Sequence, residues 1–167
     1  MLLQPRLRCH HDPCLPAGSV IINNCAGCDR RFRKLYEGIS TITHREVLDS
    51  CSFRCKPQVH EAIRSLLRKM NVTVVESEFS REKSICCGDN LYGHVPEAEV
   101  ERFQKMRAAQ MPCGDVAVTC ISCIRSMTVG GKRARYLPDL IFGRDTPPMT
   151  DSLTDYHDRL EAYIAAH

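Results

Sequence analysis

The chain has 167 residues, of which 43% are apolar and 26% charged, with a formal net charge of +3. This is the composition of a globular protein able to bury one core, not of a disordered chain. The small charge and the lack of Lys/Arg runs interleaved with aromatics exclude a nucleic-acid partner from the expectation, and no apolar run reaches the roughly eighteen residues of a membrane span. Cysteine is the outlier: the count is 11, an odd number that cannot all pair internally. Residues 1–9 lack the apolar core of a secretory signal, so the expected location is the cytoplasm. In that reducing compartment clustered cysteines bind metal more often than they cross-link.

Taken in chain order, residues 1–16 read as irregular, with Pro5, Pro13 and Pro16 set among Cys9, His10, His11 and Cys14. Val20-Ile21-Ile22 reads as a buried strand that ends at the loop Asn23-Asn24-Cys25-Ala26-Gly27-Cys28. Phe32, Leu35 and Tyr36 follow at helical spacing, and Gly38 closes that helix. Residues 43–48 predict a second short helix. Pro57 suits the first turn of a longer one, whose apolar stripe is Val59, Ile63, Leu66, Leu67 and Met70 and whose stop is Asn71. Val72-Thr73-Val74-Val75 is strand-like. Residues 83–88 predict a brief strand running into a turn.

Pro96 opens the next helix, with Val100, Phe103, Met106 and Met111 marking its inner face and Pro112 bounding it. Val116-Ala117-Val118 is a buried strand that delivers Cys120-Ile121-Ser122-Cys123. Asp151-Ser152-Leu153 signals a last helix, with Leu153, Tyr156, Leu160, Tyr163 and Ile164 on one side. Strands alternating with helices predict an α/β fold: a small, mostly parallel sheet flanked by helices, with two partly repeated βα segments that end in Cys-x-x-Cys.

The repeat sets residues 18–28 against 114–123, each a strand running into Cys-x-x-Cys. Downstream it sets Gly38 through Glu46-Val47-Leu48 against Gly131 through Asp139-Leu140-Ile141. The expected organisation is therefore threefold. Residues 1–49 are an irregular terminus plus an incomplete first module. Residues 50–142 are a complete cysteine-rich module, and 143–167 are a linker and a helix.

The chemistry lies in the cysteine spacing. A Cys-x-x-Cys at a strand-to-helix turn can grip one metal, with helix-start amides offsetting thiolate charge. Alone it is ambiguous between zinc, iron–sulfur and redox use. Cys86-Cys87-Gly88 is more specific. Adjacent strand side chains point to opposite faces, so both sulfurs share one site only if the backbone turns sharply, and Gly88 can adopt the positive φ this requires. Adjacent cysteines suit a polynuclear cluster better than a single zinc ion.

Cys51, Cys86-Cys87-Gly88 and Cys120-Ile121-Ser122-Cys123, at their intervals of thirty-four and thirty-one residues, resemble the cysteine-rich CCG module. That module occurs in the cysteine-rich subunit of heterodisulfide reductase and in the iron–sulfur subunits of glycolate and lactate oxidoreductases. Asp49-Ser50-Cys51 also resembles the module's His-Asp-Pro-Cys start, with Leu48 for the histidine and Ser50 for the proline.

The resemblance implies a noncubane [4Fe-4S] cluster, or in some members a simpler metal, held by Cys51, Cys86, Cys87, Cys120 and Cys123. It also implies an oxidoreductase component of the heterodisulfide reductase type, transferring electrons to a disulfide or another acceptor within a larger complex. Lys83, Arg54 and Arg125, near the ligands in sequence, are candidates to offset cluster charge. No Gly-x-Gly-x-x-Gly is present, so electrons are expected from a flavoprotein or ferredoxin-type partner.

Cys25 and Cys28 lie in the incomplete copy, where three readings stay open. They are a relic, or a zinc site with Cys9, Cys14, His10 or His11, or a zinc ribbon with Cys51 and Cys55. Cys55 and Cys113 fit no pattern and read as structural thiols. Two other function classes stand beside the redox one: a zinc-stabilised interaction module without redox chemistry, and a thiol oxidoreductase acting through Cys25 and Cys28.

Overall fold

In the computed structural model, residues 44–167 are described, and at their centre four parallel strands run in the order β2-β1-β3-β4. The expected strand at residues 20–22, the helix near Phe32, and Cys9, Cys14, Cys25 and Cys28 lie outside the described residues. The α/β expectation is met: helices cover both faces of an all-parallel sheet.

Strand β1 is His44–Leu48. It corrects the helix expected over 43–48 and sits in the middle of the sheet, pairing with β2 (Thr73–Val75) and with β3 (Asp115–Val118). The reason for the difference is physical. A central parallel strand is buried on both faces and normally reads as a continuous apolar run. Here Arg45 and Glu46 are buried along with Val47 and Leu48, so polar residues break the pattern. The sheet thus takes in residues ahead of position 50. The downstream half of the expected repeat also fails, because Glu46-Val47-Leu48 is strand while Asp139-Leu140-Ile141 is helix.

Helix α1, Pro57–Lys69, has proline in its first turn and buries Ile63, Leu66 and Leu67 against Val47, Val72 and Ala117. Asn71, at φ 59, ends it as expected. No strand forms at 83–88: a 3-10 turn at Arg81–Lys83 leads into irregular chain. Helix α2, Glu97–Ala109, turns Val100, Gln104, Arg107 and Ala108 inward. Met106 is exposed and Phe103 half-buried, because the buried stripe is partly polar: the Gln104 carbonyl accepts from Arg125 at 3.0 Å.

Helix α3, Ser122–Val129, follows β3 and packs on α2. At their contact Gly130 allows no side chain, since a Cβ there would lie 2.1 Å from that of Ala108. Strand β4, Arg133–Tyr136, completes the sheet at an edge and carries arginine at alternate positions, which hid it in the sequence. Helix α4, Leu137–Ile141, packs with α1.

Helix α5, Leu153–Ala166, starts where expected, with the Ser152 hydroxyl accepting from the Asp155 amide at 3.0 Å. Only Leu153 and Tyr156 of its apolar side are buried; Leu160, Tyr163 and Ile164 are exposed. Among the described residues no helix is long and apolar enough to cross a membrane.

Candidate metal centre

The chain leaves β1 through α1 to reach β2, and leaves the neighbouring β3 through α3 to reach β4 on the opposite side. The carboxyl ends of β1 and β3 are therefore a topological switch point, the crevice where open α/β sheets bind ligands. Cys120 and Cys123 stand just past β3, and Cys51 opens a 3-10 turn, Cys51–Phe53, just past β1.

The Cys-Cys-Gly segment reaches the same end from between β2 and α2. Gly88 has φ 108, and a Cβ there would lie 2.8 Å from Phe103 Cδ1 and 3.1 Å from Gln104 Cγ. Both the turn and the close approach to α2 demand glycine. The turn lets two neighbouring thiols face one place: Cys87 interacts with Cys86 on one side and with Cys123 on the other, and Cys123 interacts with Cys120. Cys87 and Cys123 are buried in the core between sheet, α2 and α3, while Cys86 and Cys120 are partly buried against it.

Four of the five expected cysteines are thus brought together. Cys51 is exposed. Cys55 is exposed as well. Cys113 lies at the opposite end of β3, where its amide faces Glu46 and its carbonyl accepts from Lys132 at 3.0 Å.

The thiols share protons unequally. Side-chain hydrogen bonding with Cys123 first, then with Cys86, holds the Cys87 thiol well below the ordinary thiol range against the opposing effect of burial. Their partners move the other way, Cys86 and Cys123 both upward. Cys120, through its hydrogen bonding with Cys123, is brought down to about 6. At Cys113, burial first and the Glu46 charge second push the thiol up.

Backbone and hydroxyl donors support this pattern. The Gly88 amide donates to Cys86 Sγ at 3.4 Å, and the Cys86 thiol donates to Asn90 Oδ1 at 3.0 Å. The Asp89 amide and the buried Ser126 hydroxyl, which has no other partner, face Cys87; the amides of Ser122 and Cys123 face Cys120.

Arg107, fully buried in α2, interacts electrostatically with Cys123 and Cys87. The three cations expected from sequence are placed differently. Lys83 and Arg54 are exposed, and Arg125 binds Gln104 and the Asp151 carbonyl. Arg107 lacked any sequence signal, but Ser126 stands one helical step (i, i+3) beyond Cys123 and Asp89 directly follows the Cys-Cys-Gly turn, so both were findable.

The donor set is sulfur only, close-set, part-ionised and lined with N–H groups, which fits a thiolate-bound metal or iron–sulfur group. Among the described residues no three His, Cys, Asp or Glu side chains form a ready-made site for a single metal ion. A family model, the CCG cysteine-rich domain, matches residues 46–128. No curated protein and no solved structure matches the chain.

Proposed function

Because residues 46–128 form a domain of the CCG cysteine-rich family, we propose that the chain is an iron–sulfur redox protein resembling the cysteine-rich subunit of heterodisulfide reductase. In this reading it passes electrons to a disulfide or another acceptor inside a larger complex. The observation that carries the reading is the contact of Cys87 with both Cys86 and Cys123, which joins two motifs distant in sequence at one buried point. Cys86, Cys87, Cys120 and Cys123 hold the group, with Cys51 as the fifth ligand at the exposed end of the crevice.

A bound cluster supplies one-electron steps at a potential set by nearby charge and hydrogen bonding. The chain's own residues do the tuning. Arg107 offsets negative charge from the buried side, and the amides of Asp89, Ser122 and Cys123 stabilise thiolate sulfur. The acceptor approaches from the side of Cys51, Cys86 and Cys120, the three sulfurs not fully buried. Electrons come from a flavoprotein or ferredoxin-type subunit, and the setting is the cytoplasm.

The deciding experiment is iron, sulfide and zinc content with visible spectra on anaerobically prepared protein. The wild type should be brown and carry iron, and Cys87→Ser should lose both colour and iron, since serine is a poorer ligand for iron in a sulfur cluster. A colourless chain loaded with zinc would replace this reading with a zinc-stabilised interaction module.

A further inference from the structure

The family match stops at residue 128, yet α5, far beyond it, is built onto the cysteine crevice. The start of the helix is tied down first. The Leu153 amide and Thr154 hydroxyl donate to the Glu97 carboxylate at the start of α2, and Arg125 of α3 donates to the Asp151 carbonyl at 3.0 Å. Leu153 is fully buried.

Two consecutive residues of α5 then grip the two cysteine turns. Tyr156 Oη and Ser122 Oγ are 3.2 Å apart, and Ser122 is the residue between the cysteines whose amide faces Cys120. His157 Nε2 lies 3.3 Å from Asp89 Oδ1, and the Asp89 amide faces Cys87. The His157 ring also stacks on Tyr92, with centroids 3.9 Å apart and planes 2° from parallel. Successive helix side chains diverge by about 100°, so one residue reaches each turn. Past this point Leu160, Tyr163 and Ile164 are exposed, so the packing of α5 is concentrated where it meets the crevice.

We propose that Tyr156 and His157 are positioning residues of the cysteine site, and that α5 is a clamp holding the Cys-Cys-Gly turn against the 120–123 turn. The clamp rests on the redox reading only for what the sulfurs hold. Each grip acts on the residue whose own amide faces a sulfur, so loosening it moves a donor away from a thiolate. It also opens the crevice to solvent. Opening of such a region is a local equilibrium separate from global unfolding.

The test is alkylation of the full-length native chain by iodoacetamide, read cysteine by cysteine by mass spectrometry, with metal content measured in parallel. Tyr156→Phe removes only the hydroxyl and should speed modification of Cys123 and Cys120 by about fivefold, the factor one lost hydrogen bond implies. His157→Ala should do the same at Cys86 and Cys87, and His157→Phe, which keeps the stack on Tyr92, should recover part of the protection. Cys113, at the far end of β3, should keep its rate in every variant.

Unchanged rates at the four clustered cysteines, or an equal rise at Cys113 that marks global loosening, would overturn the clamp. A chain purified without iron, whether empty or loaded with zinc, defeats the redox reading alone, and the alkylation pattern still decides the clamp.

Discussion

Arg64 in α1 and Arg107 in α2 are both fully buried guanidinium groups, but their surroundings differ. Arg64 makes a double contact with Asp49, at 2.6 and 2.7 Å, and another with Glu76, at 2.9 and 2.7 Å. Every nitrogen of the group is used, and Asp49 also accepts from the Arg81 amide at 2.7 Å. Arg107 instead makes two longer bonds, to Gln110 at 3.2 Å and the Phe79 carbonyl at 3.3 Å, lies 5.7 Å from the Phe79 ring centroid, and leaves Nε without a partner. Gln104, one turn earlier in the same helix, also keeps its amide nitrogen unpaired.

Buried polar groups in a finished framework are nearly all paired. The ion pairs of the Arg64 cluster are complete and tie α1 to the loops leaving β1 and β2, although the buried His60 ring beside them has neither nitrogen hydrogen-bonded. The Arg107 side holds charge and donors in reserve beside four thiols, as a site for a further group would.

The largest expected effect comes from breaking the complete cluster. Arg64→Met strands Asp49 as a buried, uncompensated carboxylate and should cost about 3–5 kcal/mol in urea unfolding; a loss under about 1 kcal/mol would mean the pair is not the framework described. Gly88→Ala comes next, at about 1–3 kcal/mol, because alanine must take a left-handed φ and press on Phe103. It should also disturb the Cys86 and Cys87 thiols, measured by their alkylation rates, while Cys113 stays constant.

Arg107→Met should be milder than Arg64→Met, about 1 kcal/mol, since no carboxylate is left bonded to nothing. Its signature is electrostatic: in the metal-free chain the thiols of Cys87 and Cys123 should ionise at higher pH, followed by ultraviolet thiolate absorbance. An unmoved titration would remove Arg107 from the site.

The smallest effect is pH-dependent. Hydrogen bonding from Arg64 holds the Glu76 carboxyl down to about 2 from its ordinary 4.5, against burial. The folded value is the lower one, so this contribution is complete above pH 4.5 and fades as pH falls towards 2. Because 40% of the Glu76 side chain is exposed, screening keeps it below about 1 kcal/mol. Urea midpoints of the wild type and Glu76→Gln should converge through that window, and a gap constant with pH would contradict the assignment.

What could be read in the sequence follows from how local each signal is. Val116-Ala117-Val118, the stripe on α1 and the Ser152 cap announce themselves within a few residues. The Gly88 turn was legible because two adjacent thiols and a glycine leave few conformations that serve one site. β1 was not, because Arg45 and Glu46 are buried by partners far along the chain. Arg107, Tyr156 and His157 were not either: each matters only through what the fold sets opposite it.

The register of β1 on β3 has a consequence in time. Leu48 pairs with Val118 and Glu46 with Val116, partners separated by most of the described chain. Such non-local pairing is slow to form. A growing chain displays Cys51, Cys86 and Cys87 well before β3 exists, so early in synthesis three of the five sulfurs are present with no crevice to hold them. Under the proposed function, closure of β1 on β3 precedes loading, and it brings Cys120 and Cys123 in the same step. Refolding of the chain and uptake of iron by it should share one rate, set by that closure and not by the encounter with metal.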